Sequence, residues 1–224
     1  MLRALIGSNG TVGSSILDNT DVDCVYNSDN LNDIIGRSFE RVIVAAPSGN
    51  RLAVNRGQTQ DRDQCERIVA ALATCAIKEL VLIGSVDAVT APSTEYGSNR
   101  AWLEQHLANQ HNLYTLRLCT LIGKRIKKNM LYDIKHGLFL EKIDAGAVLQ
   151  WCILDDVPAQ IERVIAQGPG SVNIVSEPIA NRTVLQRFCP ELVPDIDTES
   201  VRYNQQPYVY NQTQIFMAME QYLQ

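Results

Sequence analysis

The sequence predicts an α/β fold, a doubly wound parallel sheet followed by a small C-terminal α/β portion. Two observations carry this prediction. Short runs that are apolar throughout alternate with longer segments of helical periodicity, and such runs are typical of strands in a parallel sheet covered on both faces. In addition, a glycine-rich turn, LIGSNGTVG at 5–13, joins the first apolar run to the first helical segment.

Composition limits the classes of protein to be considered. The chain has 224 residues, of which 46% are hydrophobic, enough for one large domain or for a domain with a small appendage. A net charge of -5 argues against a nucleic-acid-binding protein. The absence of an 18-residue apolar run and of a signal-peptide pattern predicts a cytoplasmic protein with no membrane partner. Six scattered cysteines without a C-x-x-C pair predict reduced thiols and no metal site.

The predicted elements follow one another in strand–helix order. Strands are predicted from the apolar runs, and helices from apolar residues three and four positions apart, as in DRDQCERIVAALATC. Pro158 suits the first turn of a helix and Gly168 suits its end. The predicted strands are residues 2–6, 22–26, 41–46, 80–85, 113–123, 147–156 and 172–179 with its turn. The predicted helices are residues 11–18, 61–75, 99–110, 157–168 and 212–223, with a turn-like crossover at 30–36.

Three glycines stand three positions apart in the turn after the first strand. In a parallel sheet this turn points the amides at the start of a helix toward the ligand-binding edge. One interpretation is a Rossmann-type phosphate-binding turn, and the other is an ordinary turn that needs flexible residues. The position within a β–α–β pattern favours the first interpretation. The residues predicted to contact the cofactor here are Gly7, Ser8, Asn9, Gly10, Thr11, Val12 and Gly13.

A second group of residues follows the fourth predicted strand. Ser85 lies at the end of that strand, at the edge where such sheets place ligands, and Tyr96 and Arg100 are four positions apart. If a helix begins near residue 96, both side chains lie on one face, and a cation beside a phenol lets the phenol act as an acid or a base. The alternative is a surface tyrosine and arginine at the start of an amphipathic helix.

Together these motifs resemble those of the extended short-chain dehydrogenase/reductase family, which includes nucleotide-sugar epimerases, dehydratases and dTDP-4-dehydrorhamnose reductases. The G-x-x-G-x-x-G turn of that family is similar to the glycine turn here, and its Y-x-x-x-K motif is similar to Tyr96–Arg100. Further similarities lie in TLRLCTLIGKRIKKN, WCILDDVPAQIERVI and GSVNIVSEPI, so that the resemblance covers nearly the whole chain. It implies NAD or NADP as cofactor, Ser85 and Tyr96 as catalytic residues, and pairing into a homodimer.

The sequence departs from the family pattern in three respects. Arg100 replaces the usual lysine, which in the family bonds the nicotinamide ribose and favours ionisation of the tyrosine. Tyr96 follows Ser85 by only eleven residues, which predicts a short loop over the site. The chain is also short for an extended member. We therefore predict a single domain with a dinucleotide-binding core at 1–123 and a reduced, interleaved substrate-binding portion at 124–224.

The choice between NAD and NADP depends on the end of the second strand. An acid about 20 residues after the first glycine binds the ribose diol of NAD, but that position holds Asn27. Asn27 and Ser28 can hydrogen-bond a ribose or a 2′-phosphate, whereas Asp29 would take the place of the acid in a tighter turn. The sequence therefore leans slightly toward NADP. The residues predicted to pass beside the adenosine, after the third strand, are Ala45, Ala46 and Pro47.

A cluster of cations occurs in GKRIKKN at 123–129. At the ligand edge, clustered cations suit a small anionic substrate such as a nucleotide sugar. The alternative is a solvated charged loop in which Asn129 caps the next helix. The predicted substrate-binding residues are Lys124, Lys127, Lys128 and Asn129.

Two functions remain open at this point. In the first, the chain is an NAD(P)-dependent oxidoreductase or epimerase acting on a sugar-nucleotide-like carbonyl or alcohol. Tyr96 would transfer a proton, Ser85 would position the substrate oxygen, and Arg100 would stabilise the phenolate. In the second, the chain is a catalytically silent NAD(P)-binding sensor or assembly protein on the same fold. Arg100 favours the second function, whereas the presence of Tyr96 and Ser85 favours the first.

Overall fold

The computed structural model describes residues 2–193 and 200–224. The strands are β1 (Arg3–Ile6), β2 (Cys24–Tyr26), β3 (Ser38–Val44), β4 (Ala76–Ser85), β5 (Leu113–Leu118), β6 (Thr120–Ile122), β7 (Ala147–Leu149), β8 (Trp151–Ile153), β9 (Gly170–Ile174), β10 (Ile179–Ala180) and β11 (Ser200–Val201). The helices are α1 (Thr11–Asn19), α2 (Arg51–Asn55), α3 (Asp61–Leu72), α4 (Asp87–Thr90), α5 (Glu95–Ala108), α6 (Met130–His136), α7 (Val157–Gln167), α8 (Asn181–Phe188) and α9 (Gln212–Leu223). The contacts divide these elements into two compact units, one running to Leu118 and including Asp155–Val172, the other consisting of Cys119–Leu154 and Asn173–Gln224.

The first unit is built around a six-stranded sheet with the strand order β2-β1-β3-β4-β5-β9. β1 pairs in parallel with two strands, so that Ile6 lies opposite Tyr26 on one side and Val44 on the other. The pairs β3–β4 and β4–β5 are parallel as well. The chain turns to one side after β1 and returns to the other side for β3. The carboxyl ends of β1 and β3 therefore form the switch point where doubly wound sheets bind ligands.

Both faces of this sheet are covered. Val42, Ile43 and Val44 are successive residues of β3 that point to alternate faces, and each is at most 2% exposed. α1 packs against α7, and α3 packs against α5. The predicted doubly wound parallel sheet is therefore confirmed.

The second unit contains two small sheets. β7 pairs antiparallel with β10 and parallel with β11, while β6 pairs in parallel with β8. Gln150, between β7 and β8, is fully buried, and both the nitrogen and the oxygen of its side-chain amide are hydrogen-bonded. Its nitrogen donates to the carbonyls of Ser176 (2.7 Å) and Gln205 (2.8 Å), and its oxygen accepts from the Gln205 N–H (2.7 Å). The predicted C-terminal α/β portion is thus present.

Two of the predicted strands are each divided between two sheets. The run 113–123 is divided at Cys119 into β5, which belongs to the six-stranded sheet, and β6, which belongs to a two-stranded sheet. The run 147–156 is divided at Gln150 into β7 and β8 and ends in a 3₁₀ turn at Leu154–Asp156. In both runs the apolar sequence is continuous, although its halves join different sheets. Hydrophobic periodicity does not indicate which sheet a strand joins.

Helix α5 begins at Glu95 rather than near residue 99, because its start is fixed by polar and small residues. The Thr94 hydroxyl caps the helix by accepting from the Gly97 N–H at 3.1 Å. A Cβ added at Gly97 would lie 2.1 Å from the carbonyl oxygen of Ala91 and 2.6 Å from that of Asp87. Glycine therefore lets the first turn of α5 lie against α4, although it is a poor helix former.

Replacing Gly97 by alanine tests this close approach. Because the added methyl group would overlap backbone atoms that cannot rotate away, we expect the Gly97→Ala variant to lose about 1–3 kcal/mol of stability. For a chain of this length, that corresponds to a fall of roughly 5 °C in Tm, measurable by circular dichroism. Gly49→Ala is the matched control, since a Cβ there meets no described atom within 4 Å. Equal Tm values for the two variants would contradict the assignment.

Candidate active site

The glycine turn lies at the switch point of the sheet and is packed against the loop that follows β3. Gly7 has a φ of +89°, which glycine adopts without strain, and its N–H donates to the Tyr26 carbonyl at 2.8 Å. A Cβ on Gly7 would lie 2.4 Å from the carbonyl oxygen of Ala45, and one on Gly13 would lie 2.1 Å from that of Gly7. Two of the three glycines are thus required by the backbone of the protein itself.

Gly10 differs from the other two glycines. It occupies the N-cap position of α1 with extended backbone angles, and a Cβ there would meet the Gly7 carbonyl oxygen at 3.3 Å, a tight but tolerable distance. The first N–H groups of a helix have no acceptor within the helix, and a glycine cap has no side chain to accept from them. The start of α1 therefore presents uncapped amides in a turn with little side-chain bulk, a geometry that fits the diphosphate of a dinucleotide.

A short turn follows β2, at the position where dinucleotide-binding folds of this type contact the adenosine ribose. The Asn27 side-chain oxygen accepts from the Asp29 N–H at 2.8 Å, so this oxygen serves the turn itself. The Ser28 hydroxyl donates to the Asp29 carboxylate at 3.2 Å. Arg67, on α3, donates to the Ser28 carbonyl at 3.2 Å. A carboxylate and a guanidinium thus both flank the turn, and the guanidinium is the group that the sequence did not point to.

The loop after β3 connects the glycine turn to α5. The Ala45 N–H donates to the Ile6 carbonyl at 2.8 Å, and the bond between Ala46 and Pro47 is cis. The next residue, Ser48, accepts a hydrogen bond at its carbonyl oxygen from the Arg100 guanidinium at 3.0 Å. The predicted cofactor loop and the predicted catalytic helix are therefore in direct contact.

Tyr96 and Arg100 lie on one face of α5, and both side chains are buried. Tyr96 is 8% exposed and Arg100 is 4% exposed, which excludes the alternative that they are surface residues. The Arg100 guanidinium carbon lies 4.3 Å from the centre of the Tyr96 ring. The N–H of Tyr96 donates to the side-chain oxygen of Asn55 at 2.8 Å, so that α2 supports the first turn of α5.

Arg100 is held by a carboxylate that the sequence analysis did not select. Asp61, the first residue of α3, is 2% exposed and accepts two hydrogen bonds from the Arg100 fork, at 2.8 and 3.2 Å. The Asn99 amide donates to the same carboxylate at 2.9 Å. Burial alone would lower the pKa of Arg100, but Tyr96 and Asp61 more than offset this effect, so that the pKa is raised and the side chain stays charged.

The ion pair changes the electrostatic role expected for Arg100. An unpaired cation beside a phenol would stabilise the ionised form of that phenol. Asp61 carries the opposite charge directly on the guanidinium, which reduces this stabilisation. Cys65 lies 3.5 Å from the same guanidinium, and burial raises the pKa of its thiol to about 11. The Arg100 guanidinium is therefore flanked by a carboxylate that neutralises its charge and by a neutral thiol.

Ser85 ends β4, opposite Leu118 of β5, at the carboxyl edge of the sheet. Its hydroxyl oxygen accepts from the Asp87 N–H at 3.2 Å. The Asp87 side chain is buried and forms an ion pair with Arg51 at 3.1 Å. Because Gly97 lies against the Asp87 carbonyl, the turn after Ser85 and the first turn of α5 are packed together.

The predicted substrate-binding residues belong to the second unit. The side-chain oxygen of Asn129 accepts from the Tyr132 N–H at 3.1 Å and caps α6, while its nitrogen donates to the Leu121 carbonyl at 2.8 Å. These two bonds hold Asn129 at a φ of +135°, a strained value for a residue other than glycine. The side chains of the three predicted lysines are exposed: Lys124, Lys127 and Lys128.

Three further features of the described residues bear on the chemistry of the chain. Within residues 2–193 and 200–224, no cluster of three or more His, Cys, Asp or Glu side chains is arranged to hold a metal ion. Of the helices that the structure describes, none has the length and apolar character needed to cross a membrane. A surface concavity of about 330 Å³ lies between α5 and β5, beside the Glu104–Arg117 ion pair, and residues other than the predicted ones line it.

Comparison with solved structures shows the same Rossmann-type fold along the chain at low sequence identity. MoeE5 in complex with UDP-glucose and NAD gives a TM-score of 0.74 at 12% identity, covering 100% of this chain and 97% of that chain. UDP-glucose 4-epimerase from Thermotoga maritima, with UDP-glucose, gives 0.66 at 13% identity, covering 94% and 88%. dTDP-4-dehydrorhamnose reductase from Bacillus anthracis, in complex with NADP, gives 0.67 at 14% identity, covering 99% and 97%. No protein-family model and no curated protein sequence matches the chain.

The Arg100–Asp61 pair leads to a prediction about stability. Removing one partner of a buried ion pair leaves the other charge uncompensated, so we expect Arg100→Gln to cost about 3–5 kcal/mol in urea unfolding. The double variant Arg100→Gln, Asp61→Asn should recover most of this loss, because two neutral amides can hydrogen-bond. The control is Glu66→Gln, which breaks an exposed ion pair with Arg62 and should cost less than about 1 kcal/mol. An Arg100→Gln variant as stable as the unaltered protein would refute the importance of the pair.

Proposed function

We propose that the chain binds NAD or NADP at the glycine turn and acts as an oxidoreductase or epimerase on a nucleotide-sugar-like carbonyl or alcohol. The observation that carries this proposal is the packing at the switch point. There, Gly7 and Gly13 let the backbone segments pack closely, Gly10 leaves the first amides of α1 without a side-chain cap, and the adjoining loop contacts the helix that bears Tyr96. The solved structures with this fold include complexes with NAD, with NADP and with UDP-glucose.

The residues of the chain have separate roles in this proposal. The amides at the start of α1 bind the diphosphate, and glycine at position 10 lets it approach the backbone. Bound nicotinamide supplies the hydride transfer. The Ser85 hydroxyl holds the substrate oxygen, and the Tyr96 hydroxyl gives or takes its proton. Arg100 keeps the Tyr96 ring in place as one half of an ion pair rather than as a free cation.

The substrate is proposed to be a small anion. The exposed lysines at 124–128 suit a diphosphate, and UDP-glucose is bound in two of the similar structures described above. In this scheme, Asn129 would hold the end of the loop at 123–129 in place by capping α6. The slight preference for NADP is retained, because Arg67 flanks the turn after β2 and would pair with a 2′-phosphate. We also propose that the chain forms a homodimer and is located in the cytoplasm.

A second function is favoured by one observation. The neutralisation of Arg100 by Asp61 weakens the electrostatic support for a phenolate, which suits a protein that binds NAD(P) without turnover. Such a protein would act as a sensor or as part of an assembly. The two functions differ in whether Tyr96 carries a measurable reaction.

The cofactor site is tested by titrating NADPH and NADH against intrinsic tryptophan fluorescence. We expect saturable binding of both, with NADPH favoured. Gly10→Val should weaken binding at least about tenfold, which is 1.4 kcal/mol, because a branched side chain would cover the amides at the start of α1. The backbone angles of Gly10 are allowed for valine, but a Cβ there would lie 3.3 Å from the Gly7 carbonyl oxygen, so binding is measured at a temperature at which circular dichroism shows the variant to be folded. Undiminished binding by Gly10→Val would remove the support for the site.

The catalytic assignment is tested by Tyr96→Phe with a panel of nucleotide sugars, assayed by NAD(P)H absorbance for net oxidation or reduction and by chromatography of the sugar products for epimerisation. Phenylalanine keeps the aromatic ring against Arg100 but removes the hydroxyl. We therefore expect turnover to fall by about 10²–10⁴ while the Kd for NADPH changes little. Tight cofactor binding without turnover by the unaltered protein would favour the sensor. Full activity in the Tyr96→Phe variant would contradict the role of the hydroxyl.

A further inference from the structure

The Arg100 guanidinium contacts parts of the molecule that come from three different segments of the chain. It binds the Asp61 carboxylate at the start of α3, the Ser48 carbonyl in the loop after β3, and the Tyr96 ring on its own helix. Two of these partners belong to the proposed cofactor and catalytic elements. Asp61 belongs to neither, and it is the partner that fixes the direction of the guanidinium.

The geometry of the Arg100 guanidinium explains why Asp61 matters among these partners. Two nitrogens of Arg100 face the two carboxylate oxygens of Asp61, at 3.2 and 2.8 Å. This bidentate arrangement fixes the plane of the guanidinium, and the same nitrogen that makes the shorter bond also reaches Ser48 at 3.0 Å. The Asn99 side-chain amide also donates to the Asp61 carboxylate, at 2.9 Å. The carboxylate is 2% exposed, so water does not replace these bonds.

We propose that Asp61 is a positioning residue of the site: by orienting Arg100, it fixes the loop after β3 and the Tyr96 ring relative to each other. The inference rests on the proposed function, because it concerns the binding of NADPH and the placement of the phenol. Asp61 touches neither substrate nor cofactor in this scheme. It acts through Arg100, and its removal changes the shape of the cofactor site.

The proposal also assigns a requirement for arginine at position 100. A lysine ammonium is a point charge without a planar fork, so it cannot bind both oxygens of Asp61 and the Ser48 carbonyl in the same arrangement. The lysine of the related enzymes would therefore be the wrong residue here. A lysine at this position would bind Asp61 and release the loop after β3.

The experiment is calorimetric titration of the full-length protein with NADPH, at a temperature at which circular dichroism shows every variant to be folded. The test variants are Asp61→Asn, Arg100→Lys, Arg100→Gln and the double variant Asp61→Asn, Arg100→Gln. The matched control is Glu66→Gln, which removes an exposed carboxylate from the same helix. We expect Asp61→Asn and Arg100→Lys to raise the Kd about tenfold or more and Glu66→Gln to change it by less than about twofold. The double variant should bind NADPH no more weakly than Arg100→Gln alone, because Asp61 acts through Arg100.

The outcomes separate a positioning role from a purely structural one. A lower Tm with an unchanged Kd in Asp61→Asn would overturn the inference while leaving the proposed function intact. The inference is overturned equally if Arg100→Lys binds NADPH as tightly as the unaltered protein. If Asp61→Asn does not fold, the comparison of Arg100→Lys with Glu66→Gln decides the matter alone. Failure of the unaltered protein to bind NADPH or NADH would overturn the proposed function and this inference together.

Discussion

The close approach of three backbone segments at the carboxyl ends of β1 and β3 is the constraint on which the site depends. The turn after β1, the loop after β3 and the first turn of α1 come so close together that a Cβ on Gly7 or Gly13 would overlap a backbone carbonyl oxygen. This contact is possible because Gly7 and Gly13 have no Cβ. It fixes where α1 begins and which way its first amides point. It also places the loop after β3 where Arg100 can reach it.

Much of the fold could be predicted from the sequence because parallel strands covered on both faces leave a strong signal. β1, β3 and β4 overlap the predicted ranges because each contains a short apolar run, and α9 has the predicted range. The start of α5 was harder to predict, because glycine disfavours a helix. Gly97 is required at this position by its close contact with α4, which the sequence does not reveal. The division of residues 113–123 at Cys119 was not predictable, since both halves are equally apolar.

The site was predictable only in its linear motifs. The spacing of Tyr96 and Arg100 correctly placed both residues on one helix face. Asp61 lies 39 positions before Arg100, and an acid at the start of a helix has a sufficient local explanation, so nothing in the sequence marked it as a partner. Asn55 and Arg67 were not predicted for the same reason, since each acts through a contact with a distant backbone atom. Local patterns therefore led to the residues predicted to meet a ligand, which stay a prediction, and tertiary contacts identified the residues that hold Tyr96 and Arg100 in place.

The thiol of Cys65 gives this arrangement a chemical consequence. Thiols react with peroxides and electrophiles as thiolates, and at a pKa of about 11 roughly one molecule in a thousand is a thiolate at pH 8. The sulfur beside the guanidinium is therefore a poor target for oxidants, despite its cationic neighbour. Oxidants would therefore tend to spare the buried sulfur next to the Arg100–Asp61 pair.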